Sequence, residues 1–169
     1  MRLTVPSLDD VEQVRIWRNN EPQFLRTPFL LTEEMQEDFY HSVICNRDSK
    51  HRYYSILDDV SNGGDGLFGF GGLTNIEWEN GTAEISLIMN PKVRGLSFGR
   101  EAVHHLINEG FGKLRLHSIT GEAYDGCNIG FWEKCIEQFG GFKTIIPHRK
   151  YWNGVYYNAM WFCFFEGKK

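Results

Sequence analysis

The sequence has little of what marks several common functional classes. Its 169 residues include only four cysteines, Cys45, Cys127, Cys135 and Cys163, at scattered spacings without a C-x-x-C pair. Neither a zinc ligand set nor a disulfide framework is legible in that pattern, and reduced thiols are expected. Basic residues do not dominate: the formal net charge is -4, which offers no electrostatic footprint for nucleic acid. No window approaches the apolar run that a membrane span requires, and "MRLTVPSLDD" has acids where a signal peptide would have its apolar core. The expectation is a soluble, cytoplasmic chain without nucleic-acid or membrane partners. With no repeat, linker or low-complexity segment, residues 1–169 read as a single domain.

What is present begins with aromatics, 15% of the chain, a share suited to packed sheet faces or a lined pocket. Ser7, with Asp9 and Asp10 behind it, predicts a helix N-terminus, and Leu8, Val11, Val14 and Trp17 recur at helical spacing until Asn19-Asn20. Thr32 followed by Glu33 and Glu34 opens a second helix, with Met35, Phe39 and Val43 as its apolar stripe. "RYYSILDD" reads as a strand, "SNGGDG" as a turn and "LFGFGGLTNIEW" as a strand interrupted by glycines. Asn80-Gly81 predicts a hairpin that returns along "TAEISLIMN". From Phe98 a helix stripe runs through Ala102, Val103, Leu106, Ile107 and Phe111, closed by Gly110 and Gly112. "LRLHSITGEAY" is a further strand, and Asn128 opens a helix carrying Ile129, Trp132, Ile136 and Phe139. "VYYNAMWFCFF", apolar on both faces, reads as an interior strand. The order predicts an α/β (α+β) fold, a mixed sheet flanked by helices.

The junction "NPKVRGLSFGREAV", from Asn90 to Val103, lies between a predicted strand and a predicted helix. Glycine more often ends helices than begins them, so Gly95 and Gly99 here suggest a backbone that a ligand approaches closely. A helix N-terminus offers unpaired N–H groups and a partial positive charge, and an anion docked there gains from both. Gly99 is followed by Arg100-Glu101, so the lysine and hydroxyl of the P-loop pattern are missing at this junction. A purely structural use of the same residues, Arg94-Gly95 turning the chain and Gly99 relieving helix packing, remains the alternative.

The stretch Arg94-Gly95-Leu96-Ser97-Phe98-Gly99 resembles the acyl-coenzyme A loop of the GNAT N-acetyltransferase superfamily, [RQ]-x-x-G-x-[GA], with Ser97 where the pattern has glycine. "TAEISLIMNPKVRGLSFGREAV" is similar to the family's strand, loop and helix throughout. Asn128, "FGGF" at Phe139 to Phe142 and "WNGVYYNAMWF" resemble the parts that follow. "IWRNNEPQFLRTPFLLTEEMQEDFY" resembles a region shared by ribosomal-protein N-terminal acetyltransferases and the amino-sugar acetyltransferases of flagellin modification. The resemblance implies a GNAT fold with a mixed, mostly antiparallel central sheet. It also implies acetyl-CoA as cofactor and a primary amine as acceptor, leaning to a small molecule such as an amino-sugar nucleotide. A peptide N-terminus, or an acyl-CoA-binding module without turnover, is the alternative. A homodimer is left open.

Acetyl transfer from a thioester needs a neutral amine, a stabilised oxyanion and a proton for the leaving thiolate. By the resemblance, the loop residues Arg94, Gly95, Leu96, Ser97, Phe98, Gly99 and Arg100 hold the pyrophosphate. The strand Leu87, Ile88 and Met89, splayed from its neighbour, pairs with the pantetheine arm, and an N–H near Ile88 or Met89 polarises the thioester carbonyl. Glu84 is the candidate base, or otherwise a salt-bridged surface glutamate. Many members place their acid, a tyrosine, seven residues after the helix-opening asparagine; that position here is Cys135. Tyr124 is the first substitute, with Tyr151, Tyr156 or Tyr157 as others. Asn128 is expected beside the thioester, and Trp17, Arg18 and Asn19 along the acceptor pocket. The basic-aromatic run "HRKYW" from His148 to Trp152 suits a cofactor rim or substrate contact better than nucleic acid.

Overall fold

The computed structural model describes residues 1–26, 28–58 and 66–167. The predicted turn "SNGGDG" falls, except for Gly66, outside them. Among these residues seven strands form one sheet: β1 (Arg2–Thr4), β2 (Arg52–Leu57), β3 (Leu67–Glu77), β4 (Thr82–Met89), β5 (Ser118–Tyr124), β6 (Phe142–Trp152) and β7 (Val155–Phe165). Their order is β1-β2-β3-β4-β5-β7-β6, and every neighbouring pair is antiparallel except β4 and β5. The mixed, mostly antiparallel sheet expected from the sequence is the sheet that forms. Four α-helices flank it: α1 (Leu8–Asn20), α2 (Glu33–Phe39), α3 (Phe98–Asn108) and α4 (Ile129–Phe139).

Local chemistry sets the helix ends. The Asp10 amide donates to Ser7 Oγ at 3.1 Å and the Ser7 amide to the Asp10 carboxylate at 2.9 Å, so α1 opens on a reciprocal capping box. Thr32 Oγ1 caps α2 by accepting from the Met35 amide at 3.2 Å. Of the apolar stripe predicted for α2, Phe39 packs against the α1 cluster but Met35 does not. Met35 is exposed, whereas Gln36 is buried and donates to the Val11 carbonyl at 2.9 Å; a buried amide with that partner escapes most of its desolvation cost. The helix containing α3 does not stop at Gly110 but continues through a wider turn, Glu109–Lys113. A Cβ on Gly110 would lie 2.6 Å from Ile119 Cδ1, so its role is close approach to the sheet.

The strands alternate between two packed faces. Ile85 and Leu87 of β4 and Ile119 and Ala123 of β5 pack with Val103 and Leu106 of α3 and Trp132 of α4. Tyr53, Phe70 and Ile88 pack on the opposite face with Val11, Val14 and Trp17 of α1. Period-two alternation therefore puts Glu84, Glu122 and Tyr124 on the α1 face.

Candidate active site

The site begins where two strands part. β4 and β5 pair only at Thr82↔Ser118, Ala83↔Ile119 and Glu84↔Thr120. Beyond that point β4 stays with β3 as far as Met89, and β5 stays with β7 as far as Tyr124. The facing edges, 85–89 and 121–124, are thus unpaired with each other inside the sheet. Backbone groups left open in this way require partners, and an extended amide-bearing ligand supplies them.

The open edge of β4 leads into the loop before α3. Gly95 has φ +82° and Ser97 φ +68°, so a serine holds a left-handed conformation where the family pattern has glycine. Ser97 is the N-cap of α3 without a side-chain capping bond, and Arg100 reaches its Oγ at 3.4 Å. Among the described residues, no group accepts from the amides of Gly95 to Gly99. Free N–H groups at a helix N-terminus fit a pyrophosphate. At Gly95 an added Cβ would meet nothing within 4 Å, leaving room for a ligand, whereas at Gly99 it would meet Phe131 Cε2 at 3.0 Å. Gly99 thus serves the packing of α3 on α4, the structural use weighed above. Arg94 donates to the Met89 carbonyl at 3.3 Å and pairs with Glu21 at the end of α1.

On the α1 face, one arginine ties the fork together. Arg26 meets both carboxylate oxygens of Glu84, one of them at 3.1 Å, and donates through Nε to the Tyr124 hydroxyl at 3.2 Å. Asn75 also reaches Glu84, at 3.3 Å. The Tyr124 hydroxyl donates to Glu122 at 3.2 Å, and Arg149 holds Glu122 from outside at 3.1 Å. Burial pushes the Tyr124 pKa above the ordinary phenol value, with Arg26 opposing and Glu122 reinforcing the shift. Tyr124 therefore carries its proton at neutral pH. Lys150 sits 4.8 Å over the Tyr124 ring, and beside it lies a cavity of roughly 200 Å³ lined by Gln23, Asp125, Cys127, Trp152 and Tyr157.

The remaining predicted residues scatter in instructive ways. Asn128 stands at the N-cap of α4, exposed and without a side-chain capping bond. Cys135 is fully buried in the core, and burial raises its thiol to about 11. Tyr151 and Tyr156 pack on each other, both exposed, near the end of the β6–β7 hairpin. Trp17 is 5% exposed within the α1 core, so little of its ring is left for a ligand. Asn19 spends its amide on the Leu31 backbone, donating at 2.8 Å and accepting at 2.9 Å, and thereby pins the segment after α1. Arg18 differs: its Nε is buried without a hydrogen-bond partner, and burial lowers its pKa. Arg26, Glu122 and Lys150 were not singled out by sequence reasoning, although Lys150 falls within the "HRKYW" run.

The match to known families agrees with this geometry. Residues 1–126 match the acetyltransferase (GNAT) domain. The chain belongs to the GNAT acetyltransferase family. It is accordingly an acyl-CoA-dependent N-acetyltransferase, with acetyl-CoA as donor. Among solved structures it resembles the spermidine N-acetyltransferase from Vibrio cholerae in complex with CoA and spermine, at 19% identity and TM-score 0.84, covering 97% of this chain and 94% of that one. A dodecameric structure of the spermidine N-acetyltransferase from Vibrio cholerae matches at 19% identity and TM-score 0.78, covering 97% and 92%. These identities speak to the fold. A search of curated proteins found no significant match. No helix among the described residues is long and apolar enough to cross a membrane.

Proposed function

We propose that this GNAT enzyme acetylates the primary amine of a small molecule by direct attack in a ternary complex, with the reaction centred on the fork between β4 and β5. One observation carries the proposal: the two strands separate immediately beyond Glu84 and Thr120, and Glu84 and Tyr124 meet at that separation through the same arginine. Acetyl-CoA supplies an activated thioester when bound. The amides from Gly95 to Gly99, with Ser97 and Arg100 beside them, would receive its pyrophosphate, and the open edge of Leu87, Ile88 and Met89 would receive the pantetheine amides. Small-molecule acceptors are favoured by the neighbouring folds, whose names refer to spermidine and spermine. Those neighbours lend no support to an amino-sugar nucleotide or a peptide N-terminus in particular.

Glu84 is the group positioned to keep the attacking amine neutral, directly or through one water. Arg26 occupies both of its oxygens, so the acceptor must share or displace the guanidinium. Arg26 is about half exposed, with 47% side-chain accessibility, and such a group can swing aside at low cost. Tyr124, whose phenol carries its proton at neutral pH, is the group available to return a proton to the departing thiolate. Release of thiol from acetyl-CoA over a panel of small amines and peptides tests the proposal. Turnover of small amines is expected; turnover of peptides alone would contradict it.

A further inference from the structure

Lys150 is 6% exposed. Its Nζ donates to the Gln23 carbonyl and lies over the Tyr124 ring, yet no described carboxylate comes within 4.0 Å of it. Three arginines around the fork are paired, Arg26 with Glu84, Arg149 with Glu122 and Arg94 with Glu21, whereas the buried Nε of Arg18 has no partner among the described residues. An ammonium carries three donors and no acceptor. The Gln23 carbonyl uses one of them, and a buried charge left without a counter-ion is costly. Burial lowers the Lys150 pKa accordingly. The side chain lines the cavity whose other walls are Asp125, Cys127, Trp152 and Tyr157. The cavity adjoins Tyr124, one residue before Asp125, and so opens beside the proposed reaction centre.

We propose that the acceptor carries an anionic oxygen group, a carboxylate or a phosphate, in addition to its amine, and that Lys150 binds that group in this cavity. The inference rests on the function proposed above. An oxyanion completes the donors that the protein leaves open and returns the counter-charge that Lys150 lacks. Trp152 and Tyr157 provide a flat apolar wall for the body of the molecule. A polyamine, by contrast, would bring a second ammonium towards Lys150 and meet repulsion. The acceptor class would then differ from that named for the structurally similar spermidine enzymes.

Matched pairs of acceptors test this: an amino acid against its carboxamide, and phosphoethanolamine against ethanolamine, with spermidine as the polycation. In wild-type protein, kcat/KM from thiol release should favour the anionic member of at least one pair by about tenfold or more, as a site with open donors rejects a ligand that leaves them unpaired. The two pairs separate carboxylate from phosphate. Lys150→Met should bring that ratio close to one, while Lys150→Arg should keep it well above one; melting curves report whether each variant folds. If neither anionic amine is preferred, if spermidine is the best acceptor, or if folded Lys150→Met keeps the wild-type ratio, the inference fails while the proposed function stands. If no amine releases thiol, both fail.

Discussion

Replacing Glu84 by glutamine removes a proton acceptor and changes little else. The side chain keeps its shape and its contact with Asn75, and what it loses is the ion pair with Arg26, whose side chains are 47% and 21% exposed. A pair this open to solvent contributes about 0–1 kcal/mol, so the variant should fold, with a melting temperature lower by at most ~2–4 °C. The kinetic effect should depend on the acceptor. An amine with a lysine-like pKa of ~10.4 costs ~4–5 kcal/mol to neutralise at pH 7, and one of pKa ~8 costs only ~1 kcal/mol. General-base help is worth ~10²–10⁴-fold, so Glu84→Gln should lower kcat/KM for the first amine by about 100-fold or more and for the second by only a few fold. The loss should be largest at low pH, where proton removal is hardest, and should shrink as pH approaches the amine pKa. Thiol release measured from pH 6 to 9 with two such amines reads all of this. Equal losses for both amines, or an unaltered pH profile, would remove Glu84 as the base.

Two further expectations follow from the same geometry. Tyr124→Phe should lower kcat by about 10–100-fold with little change in KM, if its proton serves the leaving thiolate. Because burial raises its pKa, the wild-type alkaline limb should lie above pH 10 and disappear in the variant; an alkaline limb near pH 8 in wild type would point to another acid. Ser97→Gly should raise stability by about 1 kcal/mol, since a serine at φ +68° pays a left-handed strain that glycine does not. A lower melting temperature would show that the serine side chain makes a stabilising contact.

The part of the chain that was most legible is the part that repeats its signals at several levels. From Asn80 to Ile107, an Asn-Gly turn, an alternating strand, a glycine loop and a helix stripe all agree, and β4, the loop and α3 form as expected. β1 and β6 were not foreseen. β1 has three residues, too few to show a period. β6 is largely exposed, contains Pro147 and bulges between Ile146 and Lys150, so it carries no buried alternation to read. The pairing at the fork was equally hidden. Glu84 stands out on a strand, but its partner Arg26 comes from an irregular segment 58 residues earlier. Lys150 is legible in the sequence only as a member of the basic-aromatic run from His148 to Trp152; that the fold removes it from solvent is not written there. Local patterns report elements; only the tertiary structure reports which charges have lost their water.

Calorimetric titration of coenzyme A into wild-type protein, Gly95→Asn and Gly95→Asp tests the centre of this picture most directly. Asparagine and aspartate strain the φ +82° position alike, so the difference between the two variants isolates charge beside the proposed pyrophosphate site. Wild type should bind, and Gly95→Asp should bind markedly more weakly than Gly95→Asn. Equal affinities for all three proteins, or no heat in wild type, would mean that the amides from Gly95 to Gly99 hold no phosphate.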